Sequence, residues 1–291
     1  MKKQEKNEFK RKSQLTDVWR RMKKNKTAMV GLAIFTVILL LTIFASVIVP
    51  YDVALEQNTA IRYEGPSLEH WFGVDNCGRD LFARIIHGAR NSLLMGIGAV
   101  VVGIALGGIF GAIAGYYSGK VDTIIMRVMD TIGCIPFMLL ALAIIAALGT
   151  SLVNVLIALM ISMVPQYTRV VRSAVLTVVG QDYIEAARAC GTSNAGIIFS
   201  HVLPNAIGPI IVQATMSVGS MIIWAASMSF LGMGIQPPAP EWGAMLSEGK
   251  EFMLYAPHIV LFPGLAIVLT ALSINLMGDG LRDALDPSLK D

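Results

Sequence analysis

The sequence predicts an all-α integral membrane protein with six transmembrane helices. Of its 291 residues, 55% are hydrophobic and only 15% are charged, a balance outside the range of soluble globular domains. Long uncharged runs alternate with short polar segments, and a helix of about 20 apolar residues crosses the bilayer core. The three cysteines and four histidines have no metal-ligand or catalytic spacing. We therefore expect a membrane protein with no catalytic residues and no metal site.

The first span is expected at 28–49, a run of 22 residues without a charge. This run is longer than the apolar core of a secretory signal peptide, and a long polar leader precedes it, so we expect a retained helix rather than a cleaved leader. The second uncharged run covers 92–117.

The third and fourth spans come from one long run. No charge lies between Asp130 and Arg169, and these 38 residues would form a helix of roughly 57 Å, so the chain must fold back. The break is expected at "LGTS", 148–151, which leaves spans at about 132–148 and 152–167. The remaining two are expected at 206–231 and 259–277.

Charge placement predicts the orientation. With six spans, one side of the membrane carries 18 Lys and Arg and the other carries five, so the positive-inside rule puts both termini in the cytoplasm. The organisation is then a basic cytoplasmic tail at 1–27, the first span, an extracytoplasmic segment at 50–91, a five-helix core at 92–278 and a cytoplasmic tail at 279–291. The basic runs adjoin a span, so we interpret them as topology and anionic-lipid signals and expect contact with membrane lipid rather than nucleic acid.

Five glycines in the second span recur every four residues. A stripe with this spacing lets another helix approach closely, so we expect it to be a packing surface, on which Ala is better tolerated than Leu. The alternative is a phosphate-binding loop, but "GYYSGKV" lacks the required spacing and has Val121 in place of Ser or Thr. The chain is therefore expected to bind no ATP itself. The stripe consists of Gly103, Gly107, Gly111, Gly115 and Gly119.

Polar side chains within the spans are neutral, which argues against a proton relay. Such residues commonly form hydrogen bonds between helices, but together they can also line a polar path for a solute. Four prolines, at 136, 165, 209 and 263, are expected to kink or bound helices. The residues that we expect on the path are Gln166, Gln213, Ser217 and Asn275.

The segment at 182–205 is too elaborate for a simple connection. Asp182 is expected to cap a short helix with Glu185 in its first turn, and Gly191 to end that helix in a left-handed conformation. One of the next three residues would cap a second helix, which Pro204 would end at Leu203. The sequence thus predicts two short helices on the cytoplasmic face, and the alanines after Glu185 keep the first slim enough for a groove in a partner protein.

This segment resembles the EAA loop of permease subunits in bacterial binding-protein-dependent ABC importers, which have a type I permease fold. The likeness consists of Glu185-Ala186-Ala187, then Gly191, then "HVLP". His201 replaces the usual hydrophobic residue, as in the peptide-transporter branch. Three more stretches resemble the C-type membrane subunit of dipeptide and oligopeptide importers: "EHWFGVDNCGRDLFARIIHGARNSL", "MSFLGMGIQPPAPEWGAML" and "NLMGDGLRDALDP".

The resemblance implies a cell-membrane complex of this chain with a sister permease, two cytoplasmic ATPase subunits that bind ATP and Mg, and an extracytoplasmic substrate-binding protein. The chain would form half of the translocation path, would not be an enzyme, and would couple to the ATPases. The coupling residues implied are Glu185, Ala186, Ala187, Gly191, His201, Leu203 and Pro204.

Several alternatives remain at this stage. Similar subunits carry nickel chelates, glutathione or antimicrobial peptides, so the solute is open. A secondary transporter would act without ATPases, but the spans hold no charged relay and the loop indicates a docking partner. A membrane-embedded hydrolase would need a nucleophile with a base, and the sequence shows no such set.

Overall fold

The computed structural model describes residues 14–285, and the regular structure in this part of the chain is helical apart from one isolated bridge between Val74 and Asp80. Residues 1–13 of the predicted basic tail and 286–291 of the C-terminal tail lie outside the described residues. In chain order the helices are α1 (Gln14–Met22), α2 (Lys26–Ile43), α3 (Ala45–Ile48), α4 (Leu81–Tyr117), α5 (Gly119–Gly133), α6 (Phe137–Leu148), α7 (Leu152–Val179), α8 (Asp182–Ala189), α9 (Asn194–Ile197), α10 (Leu203–Phe230), α11 (Trp242–Gly249) and α12 (His258–Leu285).

The predicted all-α membrane fold is confirmed. Within the described residues, five helical segments are long and apolar enough to cross a bilayer, and α5 with α6 makes a sixth if this bent pair is one span. Three of these segments contain the second, fourth and sixth predicted spans, and Lys26–Ile43 covers the first predicted span, 28–49, only as far as Ile43. The remaining segment, Asn194–Phe230, runs through α9 and α10. Most of these helices extend past the predicted limits, because capping residues and tertiary packing continue a helix beyond its uncharged stretch.

The third span differs most from the prediction. Instead of one helix at 132–148, α5 and α6 meet at an angle of 82°. Pro136 explains the break, since it disfavours helical geometry at Ile135 and cannot donate a backbone hydrogen bond. The polar helix α5 therefore lies apart from the apolar α6, and two ion pairs attach α5 to α7. Arg172 Nη2 is 2.6 Å from Asp122 Oδ2, and Arg169 Nη2 is 3.1 Å from Asp130 Oδ1.

Helix α4 packs along α7, and the glycine stripe lies in this contact. A Cβ on Gly107 would lie 2.6 Å from Tyr167 Cβ, and a Cβ on Gly111 would lie 2.6 Å from the Thr168 backbone oxygen. Gly103 and Gly115 face Tyr167 and Val175 in the same contact. The methyl group of Ala would therefore already collide at Gly107 and Gly111. The expectation that Ala is well tolerated on the stripe underestimated how closely the two helices approach at these positions.

Gly119 does not belong to this packing surface, contrary to the prediction. It begins α5 after a break at Ser118, has a φ of +56°, and would leave an added Cβ in open space. The glycine spacing of four continues to Gly119 in the sequence, but helix α4 ends at Tyr117. The close approach instead extends to Gly96 at the other end of α4, where an added Cβ would collide with Ile222 of α10.

The first span, α2, lies against α12. A Cβ on Gly31 would be 2.6 Å from the Ser273 backbone oxygen, and one on Gly280 would collide with Ala28. Asn25, which caps α2, also donates to Asp283 of α12 at 3.2 Å. The rest of α2 is mostly exposed and apolar, as a helix facing lipid would be.

Opposite the 182–205 loop, the chain forms a compact cap from 51–80 and 231–257, and buried ion pairs join its two segments. Arg79 contacts Asp75 and Glu248, each at 2.6 Å, and Arg84 Nη2 is 3.0 Å from Glu248 Oε2. Burial opposes the charge of Arg79, but the carboxylates of Asp75 and Glu248 outweigh burial and raise its pKa above the ordinary value. These contacts fix the first outer segment against α11.

Candidate coupling loop and solute path

The first helix of the loop, α8, ends as predicted but begins differently. Gln181, in an extended conformation, is the N-cap, and its side chain makes no capping hydrogen bond. Asp182 is therefore the first helical residue rather than the cap. It still lies with Glu185 in the first turn, where negative charge is favourable.

Gly191 ends α8 in the left-handed conformation, with a φ of +80°. The Gly191 and Thr192 amides donate to the carbonyls of Arg188 and Ala187 at 3.0 and 3.1 Å, the two bonds of a Schellman motif. Ser193 then caps α9 by accepting from the Gly196 amide at 3.2 Å. The turn therefore reverses the chain within a few residues, as the glycine predicts.

Pro204 does not end the second helix, which corrects the prediction. Leu203 is helical, with φ −59° and ψ −44°, and α9 continues through a π-helical turn at Ile198–Val202 into α10. In the π-turn the Leu203 amide donates to the carbonyl of Ile198, five residues earlier. This shift from the usual spacing of four comes just before Pro204, which has no amide hydrogen to donate. The second helix of the loop is therefore the end of a membrane-spanning helix.

The loop has one buried face and one exposed face. Ile184, Ile197 and Val202 are fully buried against α4 and α7. Glu185 and Ala186 point outward with Pro204, whereas Ala187, His201 and Leu203 are half-buried. Phe199 is 71% exposed. The predicted coupling residues thus belong to a loop that is held firmly from beneath and displays a mixed polar and apolar surface.

Tyr116, near the end of α4, connects the 182–205 loop to the helix pair α4 and α7. Its hydroxyl donates to Asn194 Oδ1 at 2.8 Å, and the guanidinium of Arg188 lies 5.9 Å from the centre of its ring. No local sequence pattern predicts this contact, because Tyr116 and Asn194 are 78 positions apart.

All four predicted path residues line one cavity of about 500 Å³ between α7, α10 and α12. Gln166 comes from α7, Gln213 and Ser217 from α10, and Asn275 from α12. Gln213 donates to Ser217 at 3.1 Å. The cavity is also lined by Ser220 and by Asp279, a carboxylate that the sequence analysis placed in the C-terminal tail. Asp279 could have been predicted from its spacing of four from Asn275, which places both residues on one face of a helix.

Other neutral polar residues of the spans bond within their own helices. Ser162, Thr215 and Thr270 each donate to the carbonyl four residues earlier. They therefore need no partner helix and form no part of the cavity lining. Among the described residues, no group of three or more His, Cys, Asp and Glu side chains is arranged to hold a metal ion.

Comparison with known proteins identifies transporter permeases with the same fold. Residues 107–291 match the family described as "Binding-protein-dependent transport system inner membrane component", and residues 13–66 match the "N-terminal TM domain of oligopeptide transport permease C". The fold resembles inward-facing structures of the MetNI methionine ABC transporter, with a TM-score of 0.59 and 20% identity over 71% of this chain and 98% of that one.

Curated relatives agree over nearly the full length. The chain is 49% identical to the dipeptide transport system permease protein DppC of Alkalihalophilus pseudofirmus, and 47% identical to the glutathione transport system permease protein GsiD of Escherichia coli and Shigella boydii. Each alignment covers 94% of this chain and 90% of the relative. The chain is a multi-pass membrane permease of the type I ABC importer fold, and it belongs to the family of inner membrane components of binding-protein-dependent transport systems.

Proposed function

We propose that this chain forms half of the translocation path of an ATP-driven peptide importer in the bacterial cytoplasmic membrane. A sister permease supplies the other half, two ATPase subunits bind ATP and Mg in the cytoplasm, and an extracytoplasmic binding protein delivers the peptide. Peptides are favoured because the relatives named above transport a dipeptide or glutathione, itself a short peptide. Nickel chelates and antimicrobial peptides remain alternative solutes.

One observation carries the proposal: a single helical segment joins the loop to the path. Asn194–Phe230 begins in the 182–205 loop and continues as α10, which contributes Gln213, Ser217 and Ser220 to the polar cavity. A displacement of the loop is therefore transmitted along α10 without an intervening flexible connection. ATP binding to a partner can then shift the path between two states, provided that the partner grips the loop differently in each.

The loop is assigned to ATPase docking and the cap to the binding-protein side. The excess of Lys and Arg on the loop side supports cytoplasmic termini. Glu185 is exposed on a helix whose opposite face is buried, so it is free to meet a basic or hydrogen-bonding group of an ATPase. ATP hydrolysis is assigned to the partners, and the permease is assigned coupling.

The test uses Glu185→Lys and Gly191→Val in the reconstituted complex. Charge reversal at a desolvated contact costs several kcal/mol. Val in the left-handed turn costs on the order of 1 to 3 kcal/mol and re-aims α9. Both variants should insert normally but lose stimulation of ATP hydrolysis by peptide-loaded binding protein, and ATPase recovery in a pull-down should fall.

Glu251→Lys is the matched control, since Glu251 is an exposed glutamate at the opposite end of the bundle. It should keep normal ATPase recovery. Wild-type stimulation in both loop variants would contradict the coupling role. Ligand-driven flux by the isolated chain would instead support a secondary transporter.

A further inference from the structure

A second cavity continues the solute path. It has a volume of about 580 Å³ and lies at the end of α10 nearer the 182–205 loop, between Val170 of α7 and Arg282 of α12. Both cavities are lined by Gln213 and Met216, so together they form one groove along α10. We call this continuous surface the α10 groove. It reaches from Trp224 past Asp279 to Leu285.

The α10 groove contains two charged residues of opposite sign, and neither is neutralised within the described chain. Asp279 and Arg282 are three positions apart on α12, and among residues 18–285 neither forms an ion pair within 4.0 Å. Asp122, at the same end of the bundle, pairs with Arg172 of α7 and faces away from this groove. Asp283, the next residue, accepts a hydrogen bond from Asn25 on the α2 side of the helix.

Asp279 and Arg282 are exposed in the α10 groove, at the end of α12 nearer the 182–205 loop, so a ligand in the groove can reach both charges. Here one carboxylate and one guanidinium lie along the same groove, so the complementary ligand carries both an ammonium and a carboxylate. The amides of Gln166, Gln213 and Asn275 line the same groove, and they can donate to and accept from peptide bonds. Arg is suited to a carboxylate because its planar fork binds both oxygens.

We propose that Asp279 and Arg282 form a subsite in the α10 groove for the two charged ends of a short zwitterionic peptide. Asp279 receives the ammonium end and Arg282 the carboxylate end. The subsite rests on the proposed transport function, and it adds selection within the permease to selection by the binding protein. The competing explanation is that charges of the sister permease pair with these two residues and hold the groove closed.

The experiment measures ATP-driven uptake into proteoliposomes that contain the complete complex, with Asp279→Asn, Arg282→Gln and the control Asp283→Asn. The probes are one tripeptide with free ends, its N-acetylated form and its C-amidated form. Their affinities for the binding protein are measured first, and uptake is compared at saturation of that protein, so that only passage through the permease differs.

Asp279→Asn should lower the preference for the free over the N-acetylated peptide roughly tenfold, as expected for one charge-assisted hydrogen bond, and should leave discrimination against the amidated form unchanged. Arg282→Gln should do the converse, and Asp283→Asn should preserve both preferences. An equal change for all three probes would overturn the subsite in favour of a closing contact with the sister permease, and unchanged preferences would also overturn it. If the wild-type complex shows no ATP-driven uptake of any peptide, the proposed function fails as well.

Discussion

The contact between α4 and α7 predicts that Gly111→Ala destabilises the protein although it adds only one methyl group. The new Cβ would lie 2.6 Å from the Thr168 backbone oxygen, and ordinary contact begins at 3.4 Å, so the helices must separate locally by about 0.8 Å. The obstacle is backbone, so no rotamer change relieves it. Overpacking of this kind costs about 1 to 3 kcal/mol, less any gain from the higher helix propensity of Ala.

The assay is thermal unfolding of the purified chain in detergent, together with the yield of assembled complex. Gly108→Ala is the matched control, because Gly108 lies on the same helix and an added Cβ there meets no atom within 4 Å. It should be neutral or slightly stabilising. Equal stability of Gly111→Ala and Gly108→Ala would refute the close approach of α4 to α7, as would equal tolerance of Leu at the two positions.

Three further predictions concern topology, the cap and the loop. In a background without native cysteines, a cysteine at Asn194 should be shielded from an impermeant thiol reagent in intact cells, whereas cysteines at Asn58 and Ser247 should react; ready labelling at Asn194 from outside would reverse the orientation. Glu248→Gln removes one of the two carboxylates that pair with the buried Arg79 and Arg84 while Asp75 remains. It should lower the free energy of unfolding by about 1.5 to 3 kcal/mol, and an unchanged melting temperature would show that the contact is dispensable. Tyr116→Phe removes a hydrogen bond of about 0.5 to 1.5 kcal/mol and should speed hydrogen exchange in 182–197 roughly two- to tenfold, and unchanged exchange would place the restraint elsewhere.

The sequence alone determines the membrane fold, because crossing a bilayer is a local requirement. An uncharged run such as 28–49 can cross the bilayer only as a helix, whatever it packs against, and its length and apolar composition are visible in the sequence. The Gly191 turn is similarly local, since a glycine after a helix can take the left-handed conformation regardless of distant contacts. Polarity within apolar spans likewise singled out Gln166, Gln213, Ser217 and Asn275, which line one cavity in the structure; their role in a solute path stays a prediction.

Tertiary structure decides where a local pattern stops applying. Gly119 keeps the spacing of four, but α4 ends at Tyr117, so the stripe loses its partner helix. Pro204 disfavours a helix at the preceding residue, yet the π-turn and the buried side chains of Ile197 and Val202 keep the helix continuous into α10. In both cases the outcome depends on contacts with residues far away in the sequence.

The α10 groove and the buried ion pairs of the cap could not have been read from the chain. Asp279 borders Gln166 only because α7 and α12 converge on α10, and Arg79 reaches Glu248 across 169 positions. A charged residue near the end of a span has the same local pattern whether it faces solvent, a partner or a path. Only the packing of the helices determines which of these it faces, because that packing brings together side chains with no regular spacing in the sequence.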